Sequence, residues 1–576
     1  MSLQFITGNS GNGKTKYLFN RIVKEAKANP RDNYLVIVPE QFTMQTQRQL
    51  VDLSENKAIM NIDVLSFKRL AYRVFDELGI TNLTVLEETG KNLVLRKLAA
   101  QEADKLGVIG RNLNRIGYIS EVKSLLSELV QYNISPEELG RYIASGRLSD
   151  TLSDKLKDVL VLYEAFEKFM QDKYITAEEI LNELSNVAEE SAILRNSVIA
   201  FDEFTGFTPI QNQLIKKLFV ISKKIYVTLT IDCREDIFKS RGMQELFDMP
   251  KRTVKSLTEM AAFYGIEVEE PIILDKNYRL AENEELSFME QQLFRKRRGS
   301  FKKAPKHIHI DCLRDPKQEL TKIARRINEL VRNENLRYRD IAIVTGDVNI
   351  YAGYVREIFD KYNIPYFIDA TQEILFHPFI EFIRSIPDIA AQNFSADAVF
   401  RFLRCGFSEL LDSEIDVLEN YVLACGVRGK SAWDKKWVRL PKHKAGYDIE
   451  LLNQSREYIM ELLKPVYQVF SDKKSTVKDY VLAIYKLIVL LDIPDKLAKK
   501  EQALLDAGDQ TASKEYGQIY KIVMQLFEKY VAVLGDECMD AEEFTQILDA
   551  GLDAADVAVI PPGYDTVTIG DIERTR

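Results

Sequence analysis

Ser2-Leu3-Gln4-Phe5-Ile6-Thr7 runs directly into Gly8-Asn9-Ser10-Gly11-Asn12-Gly13-Lys14-Thr15, and this stretch decides the fold. The apolar run predicts a strand, GxxGxGKT a loop, and the pattern from Lys16 to Ala26 a helix. The spacing has a chemical reason. Glycines at 8, 11 and 13 let the backbone take positive φ and turn its N–H groups around a phosphate chain. Asn9, Ser10 and Asn12 fill the loop between them. Lys14 is placed for β- and γ-phosphates, the Thr15 hydroxyl for Mg²⁺, and the helix N-terminus behind them favours the anion. The expectation is a site for ATP and Mg²⁺ at residues 8–15.

The bulk of the chain sets the context. At 576 residues it exceeds one core, and length alone suggests roughly four domains. An apolar fraction of 46% and a charged fraction of 29% are those of an ordinary globular protein. No apolar run reaches the ~18 residues of a membrane span, and no basic-then-apolar leader precedes the loop. The expectation is a cytoplasmic protein with no membrane partner. Cys233, Cys312, Cys405, Cys425 and Cys538 are scattered without a CxxC pair, so they read as reduced thiols and not as iron–sulfur ligands. The net charge of −9 argues against indiscriminate coating of nucleic acid, while leaving room for a basic channel.

Strand-like runs at Leu3–Thr7, Tyr34–Val38, Val198–Asp202 and Ile225–Thr230 have α/β spacing. Between the second and third, helical periodicity covers Lys91–Ala103, Ser120–Tyr132 and the stripe from Leu152 to Phe169. Residues 1–85 and 196–290 therefore read as one α/β domain interrupted by a helical insertion, 86–195. A second α/β unit, 291–370 with 560–576, is expected from strands at Ile308–Cys312, Ile341–Thr345, Tyr366–Ile368 and Thr566–Ile569. Helices Gln318–Arg332 and Tyr351–Tyr362 belong to it, and a second helical insertion, 371–559, interrupts it. The chain stops just after a strand that would need partners, and the expectation is a truncated chain.

The other half of an ATP site should be a strand ending in acids, and Val198–Phe204 (VIAFDEF) supplies it. Asp202 is expected in the Mg²⁺ shell beside Thr15, and Glu203 is expected to orient the attacking water. Gln211, eight residues past Glu203, joins Lys14, Asp202 and Glu203 as a hydrolytic candidate. Asp232, closing Thr230-Ile231-Asp232, reads either as a coupling residue or as a simple strand end. Arg279, in Leu274–Arg279 (LDKNYR), would add fixed positive charge at a γ-phosphate. The densest basic cluster is Arg295-Lys296-Arg297-Arg298 with Lys302, Lys303 and Lys306; it reads as a phosphate contact or a solvated linker. Phe42, Phe67 and Trp433 are open between base stacking and core packing.

The order of these pieces carries a resemblance. GNSGNGKT, VLSFKRLAYRVF (Val64–Phe75), FDEFTGFTPIQ, VTLTIDCREDIFKSRG (Val227–Gly242) and LDKNYR resemble successive motifs of UvrD-like superfamily-one DNA helicases. IPYFID, HPFIEFIRS (His377–Ser385) and IPPGYDTVTIGDIERTR are closer still to the AddB (RexB) family. The resemblance implies two P-loop, RecA-like motor domains, each with a helical insertion. It implies the helicase-like subunit of the AddAB helicase–deoxyribonuclease, which resects double-strand DNA ends for repair by homologous recombination. The partners would be the AddA helicase/nuclease, single-stranded DNA and double-strand DNA ends, with scanning for a Chi sequence. By the same resemblance, Ser66, Phe67 and Lys68 stand where TxH is usual and are DNA-contact candidates, beside Phe42, Arg297 and Arg298, which are candidates from their residue types alone. A nuclease domain with a [4Fe-4S] cluster is expected only in a C-terminal part missing from this chain.

Departures from working helicases are visible. There is no adenine-reading glutamine segment before residue 8, Thr205 stands where a Gln is usual after DEF, and a second arginine motif would lie beyond Arg576. ATP binding is expected, with little or no hydrolysis and no nuclease activity from this chain alone. The competing expectations are an autonomous superfamily-one translocase and a non-hydrolysing DNA-binding scaffold.

Overall fold

The computed structural model describes residues 1–80, 85–86, 88–108, 118–146, 148–170, 174–176, 178–295, 299–369, 372–440, 447–553, 556–557 and 565–572. The chain is a mixed α/β protein built on parallel sheets. It divides into two compact units, Met1–Glu87 with Ser124–Asp311, and Glu88–Lys123 with Cys312–Arg576.

The first unit is organised by seven parallel strands. Across the sheet they run Ile62–Leu65, Tyr34–Ile37, Val198–Phe201, Lys224–Thr230, Ser2–Gly8 and Glu267–Val268, with Ile272–Leu274 also paired to Ser2–Gly8. Successive side chains of a strand face opposite sides. Phe5, Leu35, Ile199 and Val227 accordingly join one apolar cluster, and Ile6, Val36, Ala200 and Tyr226 another. Burial on both faces is what parallel strands with helical crossovers require, and it explains why these strands read as apolar runs. Register brings the carboxyl ends to one edge: Gly8 lies opposite Thr230 and Leu274, and Ile37 opposite Phe201 and Leu65. In open α/β sheets ligands bind outside that edge.

The second unit holds a three-stranded parallel sheet whose central strand, Val567–Asp571, comes last in sequence, between Ala342–Thr345 and Tyr366–Ile368. Helices Pro316–Asn333 and Val348–Lys361 cover it through Leu320, Ala324, Val355 and Phe359, which share a cluster with Val567 and Ile569. The strand expected at Ile308–Cys312 does not form: the segment is irregular and Ile310 is 93% exposed. Alternation of apolar and polar residues makes a strand only where a neighbour supplies hydrogen bonds. A larger helical core is built around Phe379, Phe382, Trp433, Ile459, Tyr480 and Tyr530.

The expected insertion 86–195 is divided between the units, because Glu88–Lys123 groups with the second. Helix Glu88–Gln101 is buried continuously from residue 90 to 95, and Leu93 joins the helical core of the second unit. Arg96 donates to Gln546 and Lys97 pairs with Glu537. A helix buried on more than one face, here with Lys91 and Asn92 among its buried residues, belongs inside a core, but its periodicity does not say which one.

Candidate functional site

The loop after Ser2–Gly8 turns through Gly11 at φ 87° and Gly13 at φ 78°, a region glycine enters without steric cost. Helix Lys14–Ala28 starts immediately, and its cap residue, Gly13, offers no side chain to the first-turn N–H groups. Those donors and the positive end of the helix dipole stay at the loop mouth. Lys14 folds back across the loop, its Nζ donating to Gly8 O at 3.1 Å and Asn9 O at 3.0 Å. Burial lowers its pKa, while Glu203 and Asp202 oppose the shift and Arg279 adds to it.

The acidic wall comes from the strand end Val198–Phe201. Asp202 is buried; Thr228 donates to its Oδ1, and its Oδ2 is a buried oxygen without a hydrogen-bond partner. Burial pushes this carboxyl up to about 6. Thr15 Oγ1 donates to Glu203 Oε1 at 3.3 Å, and Glu203 itself sits at φ 67°, a conformation costing a non-glycine residue about 1–2 kcal/mol. Thr15 and Asp202 offer hard oxygen donors of the kind magnesium takes.

Leu274–Arg279 closes the loop from its other side. Asn12 Nδ2 donates to Leu274 O at 2.6 Å, Asn277 Nδ2 to Ser10 O at 3.0 Å, and Tyr278 N to Gly11 O at 3.0 Å. Arg279 Nη1 reaches Ser10 Oγ at 3.4 Å. A Cβ on Gly11 would stand 2.7 Å from Asn277 Oδ1, so this approach requires glycine there.

A family model described as "ADDB, N-terminal" matches residues 5–290, a span that takes in the glycine loop, Asp202, Glu203 and Arg279. The N-terminal half of the chain is thus the part assigned to this family. It is also similar to proteins named as a subunit of an ATP-dependent helicase/deoxyribonuclease. The one from Lachnoclostridium phytofermentans is 38% identical over 100% of this chain and 51% of its own length. Those from Caldanaerobacter subterraneus and Clostridium acetobutylicum are 32% and 31% identical, each over 100% of this chain and 50% of their own length. The chain spans about half the length of the curated relatives it matches.

In the first unit Lys14, Thr15, Asp202, Glu203 and Arg279 come together, and other expected residues do not join them. Gln211 is spent on its helix: its Oε1 accepts from Thr208 N at 3.0 Å while its own N–H returns to Thr208 Oγ1, a capping box. Phe67 is core, packed on Phe201, Phe204 and Phe207 at 5.5–6.4 Å between ring centres. Ser66 is buried, caps helix Phe67–Leu78 and donates to Glu40, which also accepts from Arg69 at 2.8 Å. Phe42 is half-buried and Lys68 is exposed. Trp433 is fully buried in the other unit. Arg297 and Arg298 lie outside the described residues.

Arg295, read from sequence as part of a basic cluster, is an internal ion. Its Nε donates to Asp232 Oδ2 at 3.0 Å, its Nη2 to Glu290 Oε1 at 3.2 Å, and its guanidinium lies over the Phe247 ring. Burial raises the Asp232 pKa, but bonds from Arg234 and Arg295 more than offset this and hold the carboxyl well below the usual range. Sequence reasoning missed Asn277, Tyr278 and Glu290 as partners of the loop. The NY within LDKNYR was the only signal for two of them. Among the described residues no group of three or more His, Cys, Asp or Glu could hold a metal ion by itself, and no helix is long and apolar enough to cross a membrane.

Proposed function

We propose that the chain is the N-terminal, nucleotide-binding part of the AddB-type subunit of a bacterial ATP-dependent helicase/deoxyribonuclease. In this reading the two α/β portions are P-loop, RecA-like motor domains, and the chain works in the cytoplasm beside an AddA-type partner. It handles single-stranded DNA at double-strand ends during homologous recombination, scans for Chi, and is not itself an active helicase. The names of the relatives, subunits of an ATP-dependent helicase/deoxyribonuclease, support the complex. The observation that carries nucleotide binding is the uncapped helix start at Gly13 with Lys14 folded beneath it.

The buried, unpartnered Asp202 Oδ2 beside Thr15 suits a hard cation. Bound Mg²⁺ would supply positive charge to the β- and γ-phosphate oxygens. The chain's own groups do the rest. Loop N–H groups hold the phosphates, and Lys14 leaves two carbonyls for them. Glu203 orients water and Arg279 neutralises charge at the γ-phosphate. With Gln211 locked in its cap, turnover by this chain alone is expected to be low.

Titrating ATP·Mg²⁺ into the chain and into Lys14→Ala tests the reading. The variant should bind at least ~10-fold more weakly, the loss of one charge-assisted contact of about 1.5–3 kcal/mol. Equal affinity would remove nucleotide binding from the proposal.

A further inference from the structure

Residues 428–440, in the second unit, carry five cations, Arg428, Lys430, Lys435, Lys436 and Arg439, against one carboxylate, Asp434. Lys430 takes that carboxylate at 2.7 Å. Arg428, Lys435, Lys436 and Arg439 are all exposed, and none has an ion-pair partner among the described residues. In a chain of net charge −9 this is an unusual place.

The backbone under these cations is irregular from residue 436 to 440, yet it is fixed from below. Trp433 and Trp437, the only tryptophans in the sequence, are buried edge to face at 5.2 Å, with Phe400 and Tyr421 beside them. Asn453, buried, grips Trp437 twice, accepting from its N–H and donating to its carbonyl, each at 2.9 Å. Trp437 Nε1 donates to Ala432 O at 3.0 Å, buried Arg456 donates to Trp433 O at 2.8 Å, and Tyr421 OH donates to Arg439 O at 2.6 Å. Ordering a coil costs conformational entropy at every residue. Here two indoles, a buried amide and a buried guanidinium offset that cost. What the arrangement presents is a row of unpaired charges, with Val438 82% exposed among them.

We propose that this strap, Lys435 to Arg439 on its tryptophan base, is a binding surface for the phosphodiester backbone of nucleic acid. Cations without carboxylate partners lose nothing when a phosphate arrives, and each contact releases counterions from the polyanion. Arg439 offers a fork that matches phosphate geometry. A surface already rigid loses little entropy on binding. The inference rests on the reading of the chain as a DNA-handling protein and assigns that task to the cations beside Trp433, whose own ring is core.

The test compares the parent chain with Lys435→Gln/Lys436→Gln/Arg439→Gln, three exposed positions. Affinity is measured for a labelled thymidine oligonucleotide and for a labelled hairpin duplex over a range of salt, with ATP affinity as the control. Each phosphate contact contributes about 0.9 to the salt slope for duplex and about 0.7 for single strands, so the slope should shrink by about 2 to 3 on the strand the strap holds. Affinity at low salt should fall about tenfold or more, with ATP binding unchanged. If the parent binds DNA and the variant keeps its affinity and slope, the strap is overturned and the wider reading stands. If polyglutamate loses affinity and DNA does not, the surface is for acidic polypeptide and the proposal fails. A parent that binds no DNA would overturn both.

Discussion

The Asn9 side-chain amide donates to Glu290 Oε1 at 2.9 Å, tying the glycine loop to a helix 281 residues further along the chain. The same oxygen accepts from Arg295, Arg295 reaches Asp232, and Cys233 N returns to Asn9 Oδ1 at 3.1 Å. A ring of buried or half-buried polar groups thus joins the loop, the end of strand Lys224–Thr230 and the segment that leads on to residue 312.

Removing Glu290 leaves Asn9 and Arg295 each short of a partner. Glu290→Ala should lower stability by about 1–3 kcal/mol and weaken nucleotide binding several-fold. Glu290→Gln keeps an acceptor for Asn9 and should lose less of both. Denaturant unfolding and nucleotide titration of the two variants check this. Parent-like nucleotide affinity in Glu290→Ala would show that the ring does not position the loop.

Asp202 gives the site a pH signature. Its carboxyl is raised from 3.8 to about 6, chiefly by burial. A carboxyl raised on folding holds its proton more tightly in the folded chain, so stability falls as pH rises from the ordinary carboxylate range to 6 and is level above it. The ionised group therefore costs about 3 kcal/mol above pH 6. Asp202→Asn keeps the Thr228 bond and should melt at a higher temperature than the parent above pH 6. It should also lose the magnesium-dependent part of nucleotide binding. Melting curves on either side of pH 6 decide the first point; no gain in the variant would refute it.

The loop and its acidic wall were legible because their residue types carry the chemistry at a fixed spacing. Lys14, Thr15, Asp202 and Glu203 need one strand–loop–helix and one strand end, both short-range patterns. What stayed hidden depends on distant partners. No local pattern reveals that Asn9 meets Glu290 or that the helix Glu88–Gln101 faces the core around Phe379, whereas Thr208 and Gln211 carry the local T-x-x-Q spacing of a capping box. Ile308–Cys312 has the alternation of a strand and lacks a neighbour to make it one. The cations at Lys435, Lys436 and Arg439 were overlooked because Arg295–Arg298 is denser in sequence, while Arg295 itself is neutralised by Asp232 and Glu290.

Gly11→Ala tests the closure by Leu274–Arg279. The new methyl would meet Asn277 Oδ1 at 2.7 Å and Arg279 Cβ at 2.8 Å, at a φ of 87°. Gly79 provides the control, with a similar φ of 68° and open space around it. Gly79→Ala should cost only the backbone term of about 1–2 kcal/mol. Gly11→Ala should cost more and weaken nucleotide binding, since Asn277 and Arg279 must withdraw from Ser10. Equal losses in the two variants, measured by thermal unfolding, would mean that the segment is not held against the loop.

Phe67 separates core from contact. A stacking residue in a DNA groove must expose a ring face, whereas Phe67 is buried with three phenylalanine rings around it, two of them on the segment that carries Asp202 and Glu203. Phe67→Ala should therefore cost about 3–5 kcal/mol of stability through the cavity it leaves. Phe67→Leu refills most of that volume and should cost less than about 1.5 kcal/mol. A base-stacking ring would behave differently, because leucine lacks the aromatic face and Phe67→Leu would forfeit about 1–3 kcal/mol of affinity for single strands. Near-parent DNA affinity in Phe67→Leu, alongside a lowered unfolding midpoint in Phe67→Ala, is the expected pair of results. Loss of DNA binding in the stable leucine variant would return Phe67 to the DNA surface.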